Sequence, residues 1–302
     1  MIAFGSAITD PYKYENACGR GIALAGEPDS AVLARAAAGS IYKSYNLVLD
    51  EAANLDGLEA LVMLHQDAEI VDADFCRKVR ESLAEPDVGV VGAVGAVGVR
   101  SIAWWDGSVT WASFSHRYDE FGGGAFPGFC WAGEKQPPYS QLGEVDTIDG
   151  FIMVLSPWVV RNLRFDESLG QLHGYDYDFC LTVREAGRKV VTQDLQVVHH
   201  HSLDLVSSPD TWIQAHVAVA EKWEGRMPGV GGGSEDWKLR ARRAEAEASV
   251  YRTMMRAEEM KRHAAVEEVT GSISWRLTKP LRAVNRLRRA ASDPGTAQAT
   301  SR

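Results

Sequence analysis

The sequence predicts an α/β protein: a mostly parallel sheet flanked by helices, followed by a basic helical tail. Three observations carry that prediction. Short apolar runs alternate with stretches of helical periodicity over residues 1–226, which implies strands joined by helical crossovers. One of those runs, Ala60 to Leu64, is apolar throughout and leads into Asp67 and Glu69, as a strand buried on both faces would on reaching the edge of a sheet. Finally, a glycine-rich break is followed by a segment of reversed charge.

The elements follow in order. Residues 2–8 read as a first strand, Tyr12 to Ala25 as a helix, and Ser30 to Ala34 as a short strand. Ser40 to Ala53 has helical spacing, with Ile41, Tyr45, Val48 and Ala52 on one face. After the strand at 60–65 come a helix over Asp74 to Leu83 and a Val/Gly-rich strand over Val88 to Ala96. Ser101 to Gly143 is rich in Trp, Gly and Pro, the composition of a lid or binding region. A second run of elements then begins: strand Thr147 to Leu155, helix Pro157 to Asn162, helix Tyr177 to Ala186, strand Lys189 to His199. The expected organisation is a domain over 1–226, a linker over 227–235, a helical basic tail over 236–290 and a disordered end over 291–302.

The 302 residues suffice for a full core, and 45% apolar with 24% charged residues is ordinary for a globular protein. The net charge of −9 conceals a division. From Asp236 onward there are 15 Lys and Arg against 8 Asp and Glu, whereas the first 235 residues carry 17 against 33. An acidic body argues against nucleic-acid binding, and a basic tail points to an anionic membrane surface or a protein partner. Four scattered cysteines without C-x-x-C spacing, and a start without a basic leader, predict a reduced cytoplasmic protein, peripheral at the inner face of the membrane if the tail docks there. The oligomeric state is left open.

Three clusters carry chemistry. Two carboxylates at i,i+2 on an extended chain point the same way, so Asp67 and Glu69 suit a hard divalent cation that also touches a phosphate. Asp176 and Asp178 precede an apolar helix; Asp176, after Gly174 and Tyr175, sits in loop context that suits a general base, while Asp178 suits the helix dipole equally well. Val197 to His201 is a strand running into three histidines, any of which could complete a metal shell. Trp104, Trp105 and Trp111 suit either stacking on a pyranose face or packing in the core. The ladder Gly89, Gly92, Gly95, Gly98 suits close packing rather than phosphate binding.

In order and spacing, several motifs resemble the family-2-like glycosyltransferases of the GT-A fold. They are His65-Gln66-Asp67, Gly89 to Ala93, Trp104-Trp105-Asp106-Gly107, Ile148-Asp149-Gly150-Phe151, Phe165-Asp166-Glu167, Tyr175 to Cys180, and Val197 to His200. The resemblance spans roughly residues 1–225; outside it, Ser274 to Arg282 looks like an S-W-R-L-T-x-P-L-R element of bacterial polysaccharide-assembly proteins. It implies a GT-A sheet and an inverting, metal-dependent transfer from a nucleoside-diphosphate sugar to a glycan, lipid-linked or small-molecule hydroxyl. Asp67 and Glu69 resemble the D-x-D element that binds the diphosphate with Mn²⁺ or Mg²⁺, with Glu at the third position, and His199 the histidine completing the shell. Asp176 falls where inverting members carry the base, with Tyr175 in place of the usual Glu. Asp10, Asn46 and Gln66 correspond to positions near the nucleotide, and Asp149, Trp104, Trp105 and Tyr175 to positions near the acceptor or donor sugar. A binding module without catalysis and a nucleotidyltransferase are the competing readings.

Overall fold

The structure, a computed structural model, describes residues 1–99, 101–104, 109–118, 125–127, 143–201, 209–226, 248, 260–264, 266–280 and 282. The chain divides into two compact units, Met1–Ser234 and Glu235–Arg302.

The first unit opens with strand β1 (Ile2–Ile8), helices α1 (Pro11–Asn16) and α2 (Cys18–Ala25), β2 (Ala31–Ala36), α3 (Ile41–Ala52) and β3 (Ala60–His65). Next come β4 (Ala68–Ile70), α4 (Phe75–Leu83), β5 (Val88–Gly92), β6 (Val94–Val97), β7 (Val109–Ala112), β8 (Phe114–Tyr118) and β9 (Ala125–Pro127). The remainder is β10 (Gly143–Val145), β11 (Thr147–Ile148), β12 (Ile152–Leu155), α5 (Pro157–Asn162), α6 (Tyr175–Glu185), β13 (Lys189–Thr192), β14 (Val197–His201) and α7 (Pro209–Lys222).

The large sheet has the order β10-β13-β5-β12-β3-β1-β2. Strands β1, β2 and β3 are parallel, as are β5 and β13, while β12 runs against both β3 and β5 and β10 against β13. The sheet is therefore mixed and mostly parallel, as the sequence pattern predicts. Its central strands are buried on both faces: Ala60 to Leu64 and Ile152 to Leu155 are fully enclosed. Two smaller sheets have the orders β11-β6-β7 and β4-β14-β8-β9.

Four expected elements divide, each for a local reason. The helix over 12–25 breaks at Ala17, where φ −126° and ψ −79° leave the helical basin; Asp10 and Pro11 start its first half. The run Val88 to Ala96 changes sheets at Ala93, so its two halves pair with different neighbours. The Gly residues there serve packing: a Cβ on Gly92 would lie 2.6 Å from Ile148, and one on Gly95 2.4 Å from the Thr147 carbonyl. The strand over 147–155 is interrupted at Asp149 to Phe151, and that over 189–199 at Gln193 to Gln196, where Gln196 takes φ +50°.

Two anchors position the site. A Cβ on Gly21 would meet the Ile70 amide at 2.4 Å, so α2 lies flush against β4. Near the end of the unit, Trp223 is 1% exposed and donates to Asp178 at 2.7 Å, and Lys222 bridges Asp178 and Asp166. Asp178 is thus a buried acid spent on the fold. Cys18, Cys76 and Cys180 are buried thiols; Cys130 lies outside the described residues.

In the second unit, helix α8 (Ile273–Leu277) exposes Ile273 and Leu277, and Ser272 caps it. Most of the expected tail helix lies outside the described residues. Among the described residues, no helix is long and apolar enough to cross a membrane.

Candidate functional site

Strand β3 ends at His65, and the chain turns through Gln66 and Asp67 before β4. That turn, rather than an extended strand, decides which side chains meet. His65, Asp67 and His199 converge, with one ligand atom from each lying within 4.8 Å of the others. His199 Nε2 is 3.5 Å from Asp67 Oδ1, and His65 Nδ1 is 3.9 Å from the same oxygen. The His200 amide donates to the Asp67 carbonyl at 2.8 Å and fixes β14 beside the turn. Phe151 stacks on His199 with ring centres 4.7 Å apart, and its carbonyl accepts from the His65 amide.

Burial alone would push the Asp67 carboxyl up, but the hydrogen bond and charge of His199, with His65 beside it, outweigh that and hold it below the usual carboxylate range. Burial pushes His65 down, toward the neutral imidazole that ligates metals. An ionised carboxylate with two imidazoles is a donor set that fits a divalent cation.

A second pair of acids lies next to this cluster along the chain of contacts. The Asp176 carboxylate accepts from the Gly150 amide at 2.9 Å through Oδ2 and from the Tyr177 amide at 2.9 Å through Oδ1. Burial, then the charge of Asp149, raise its pKa to about 7, with those hydrogen bonds opposing. A carboxylate titrating near neutrality can both take and hold a proton, the property a general base needs. Asp149 is itself held by the Trp104 indole N–H at 2.6 Å and by the Phe151 amide at 3.2 Å.

Comparison with known proteins gives the family of the chain. Residues 30–217 match the profile of a family described as "Glycosyltransferase like family". The chain belongs to that family. The streptomycin biosynthesis protein StrF of Streptomyces griseus is 31% identical to this glycosyltransferase over 207 residues, 67% of each chain. The O-antigen biosynthesis protein RfbC of Myxococcus xanthus is 25% identical over 193 residues, 60% of this chain but 14% of that one. Among solved structures, GalNAc-T7 with UDP, GalNAc and Mn²⁺ aligns over 75% of this chain and 48% of its own, at a TM-score of 0.49 and 10% identity.

Several expected site residues of the glycosyltransferase take other roles. Glu69 is not part of the His65–Asp67–His199 cluster, because the turn at 66–67 breaks the i,i+2 alternation. Its carboxylate accepts from Arg20 Nε at 2.9 Å and faces His200 Nε2 at 2.8 Å. Asn46 is not free for a nucleotide, since it donates to Phe165 O and Glu167 and accepts from the Phe165 amide. Gln66 accepts from the Thr9 and Asp10 amides, and Asp10 caps α1, so both shape the turn after β1. Trp104 is 5% exposed and cannot stack on a sugar; its work is to hold Asp149. Tyr175 is likewise buried, its hydroxyl 2.6 Å from His65 Nε2. Asp176 is the second residue of α6, which starts at Tyr175, two residues before the expected Tyr177. Trp105, and the side chains of Trp111 and His201, lie outside what is described.

Sequence reasoning overlooked His65 as a cluster member. The signal was present: His65 and Asp67 also stand at i,i+2, but the paired acids drew the eye. Arg20 carried no signal, because it reaches Glu69 across 49 residues of sequence.

Proposed function

We propose that this glycosyltransferase moves a sugar from a nucleoside-diphosphate sugar to a hydroxyl acceptor with inversion. In this reading Asp67, His199 and His65 hold a divalent cation and Asp176 is the general base. The observation that supports it best is the convergence at one edge of the sheet: the His65–Asp67–His199 cluster and the Asp149–Asp176 pair meet across Gly150 and Phe151.

The chemistry follows from the residues. Asp176 takes the proton of the acceptor hydroxyl as that oxygen attacks the anomeric carbon from the face opposite the diphosphate. Its two amide hydrogen bonds orient the carboxylate and still leave lone pairs for the acceptor. When bound, a divalent cation would neutralise charge growing on the leaving diphosphate. Two imidazoles beside one carboxylate favour Mn²⁺ over Mg²⁺. Streptomycin and O-antigen biosynthesis in the names of two relatives support a small-molecule or glycan acceptor.

The test is a thermal-shift screen of UDP, GDP and TDP and their sugars with and without Mn²⁺. A ligand at a hundred times its Kd should add about 2.7 kcal/mol of stability. The expected result is a shift with one nucleotide that needs the metal. No metal-dependent shift with any of them sinks the donor-site assignment.

A further inference from the structure

His65 has two ring nitrogens, and only one can face the cluster. Nδ1 lies on the Asp67 side, while Nε2 is 2.6 Å from the Tyr175 hydroxyl. A neutral imidazole carries a single N–H, so the group that takes that proton decides which nitrogen keeps a lone pair.

Tyr175 is held where it can make that choice. Its ring packs edge-on against Tyr42 and Tyr45, with centres 6.1 and 5.6 Å away. On the other side lies Gly150, where an added Cβ would sit 2.2 Å from the hydroxyl oxygen. The neighbouring Asp176 accepts from the Gly150 amide, so the first turn of α6 is clamped to the loop before β12.

We propose that Tyr175 is a positioning residue: its hydroxyl accepts the Nε2–H of His65, fixes the tautomer and ring plane, and presents the Nδ1 lone pair to the Asp67–His199 cluster. The proposal rests on reading that cluster as a divalent-cation site and adds a determinant of its affinity. Partners that hold the second nitrogen of a histidine ligand typically change metal affinity about 10–100-fold when lost. The ring fills the space between Tyr42, Tyr45 and Gly150, and the hydroxyl also lies within hydrogen-bonding reach of Tyr45.

The experiment is an electron paramagnetic resonance titration of Mn²⁺ into the full chain, with thermal melts of the metal-free proteins. Tyr175→Phe keeps the ring and should weaken Mn²⁺ binding by about tenfold or more, with a metal-free melt close to wild type. His65→Ala should weaken binding too, and adding Tyr175→Phe to it should change nothing further. Gly150→Ala, which crowds the hydroxyl, should weaken binding in the same direction and serves if Tyr175→Phe folds poorly. Unchanged affinity in Tyr175→Phe, or an additive loss in the double variant, overturns the positioning role alone. Absence of Mn²⁺ binding by the wild type overturns both this role and the cation reading beneath it.

Discussion

Replacing Asp176 by Asn should lower activity and remove a pH dependence of stability, and the two effects can be measured separately. In the folded chain burial, with Asp149 behind it, raises the Asp176 pKa from 3.8 to about 7. As pH rises from about 4, the unfolded chain loses this proton first, so the folded state holds more protons and stability falls until about pH 7, then levels. At about 1.36 kcal/mol per pKa unit, the wild type should lose about 2.5 kcal/mol from this group between about pH 5 and pH 8. That figure is a ceiling, because the carboxylate is half-buried rather than enclosed. The Asn variant has no such titration. It does turn an amide NH₂ toward either the Gly150 or the Tyr177 N–H, a mismatch costing about 1–3 kcal/mol. The mismatch is the same at both pH values and cancels from the difference. Urea melts near each pH should therefore show the variant gaining on the wild type by up to about 2.5 kcal/mol on going from acid to alkali. Turnover should fall about 10²–10⁴-fold, the usual contribution of a general base. A stability difference independent of pH would refute the assigned environment, and an unchanged rate would remove Asp176 as base.

Three further outcomes follow from the same contacts. Asp149→Asn removes the like charge beside Asp176 but leaves the burial, so the acid limb of the kcat/KM profile should move to lower pH; a stationary limb contradicts the coupling. Glu69→Gln leaves Arg20 and His200 without their carboxylate and should cost about 1–3 kcal/mol in chemical melts, while the Mn²⁺-dependent thermal shift survives; loss of that shift would return Glu69 to the cation cluster. Trp223→Phe deprives the buried Asp178 of one donor at 2.7 Å and should also cost about 1–3 kcal/mol, a loss that an unaltered urea midpoint would disprove.

Much of the frame is legible because it depends on local pattern. Ala60 to Leu64 reads as a strand sealed on both faces, and His65 to Asp67 then fall at its end. Breaks inside apolar runs are not legible in this way. Nothing in Val88 to Ala96 tells a reader that Ala93 passes the chain from one sheet to another, since both halves are equally apolar. The start of α6 is missed by two residues because Gly174, in the left-handed region at φ +79°, offers no capping side chain. The site divides along the same line. Asp67, Asp176 and His199 stand in motifs, whereas the partners that give Glu69, Asn46 and Trp104 their roles lie 45 to 131 residues away. The acid at position 69 looks like half of a metal motif until a turn and an arginine redirect it.

The clamp at Trp223 and the place of β1 bear on how small a working piece of this enzyme can be. The family match runs from residue 30 to 217, and trimming to those limits would be a natural first fragment. Such a fragment would lack β1, which is hydrogen-bonded on both sides between β3 and β2. It would also lack the Trp223 indole N–H that bonds Asp178 and the Lys222 ammonium that neutralises it. The result is a sheet with a missing slat and an uncompensated carboxylate within α6, the helix that carries Asp176. Recombinant work on the isolated enzyme should keep Met1 through Ser234 whole.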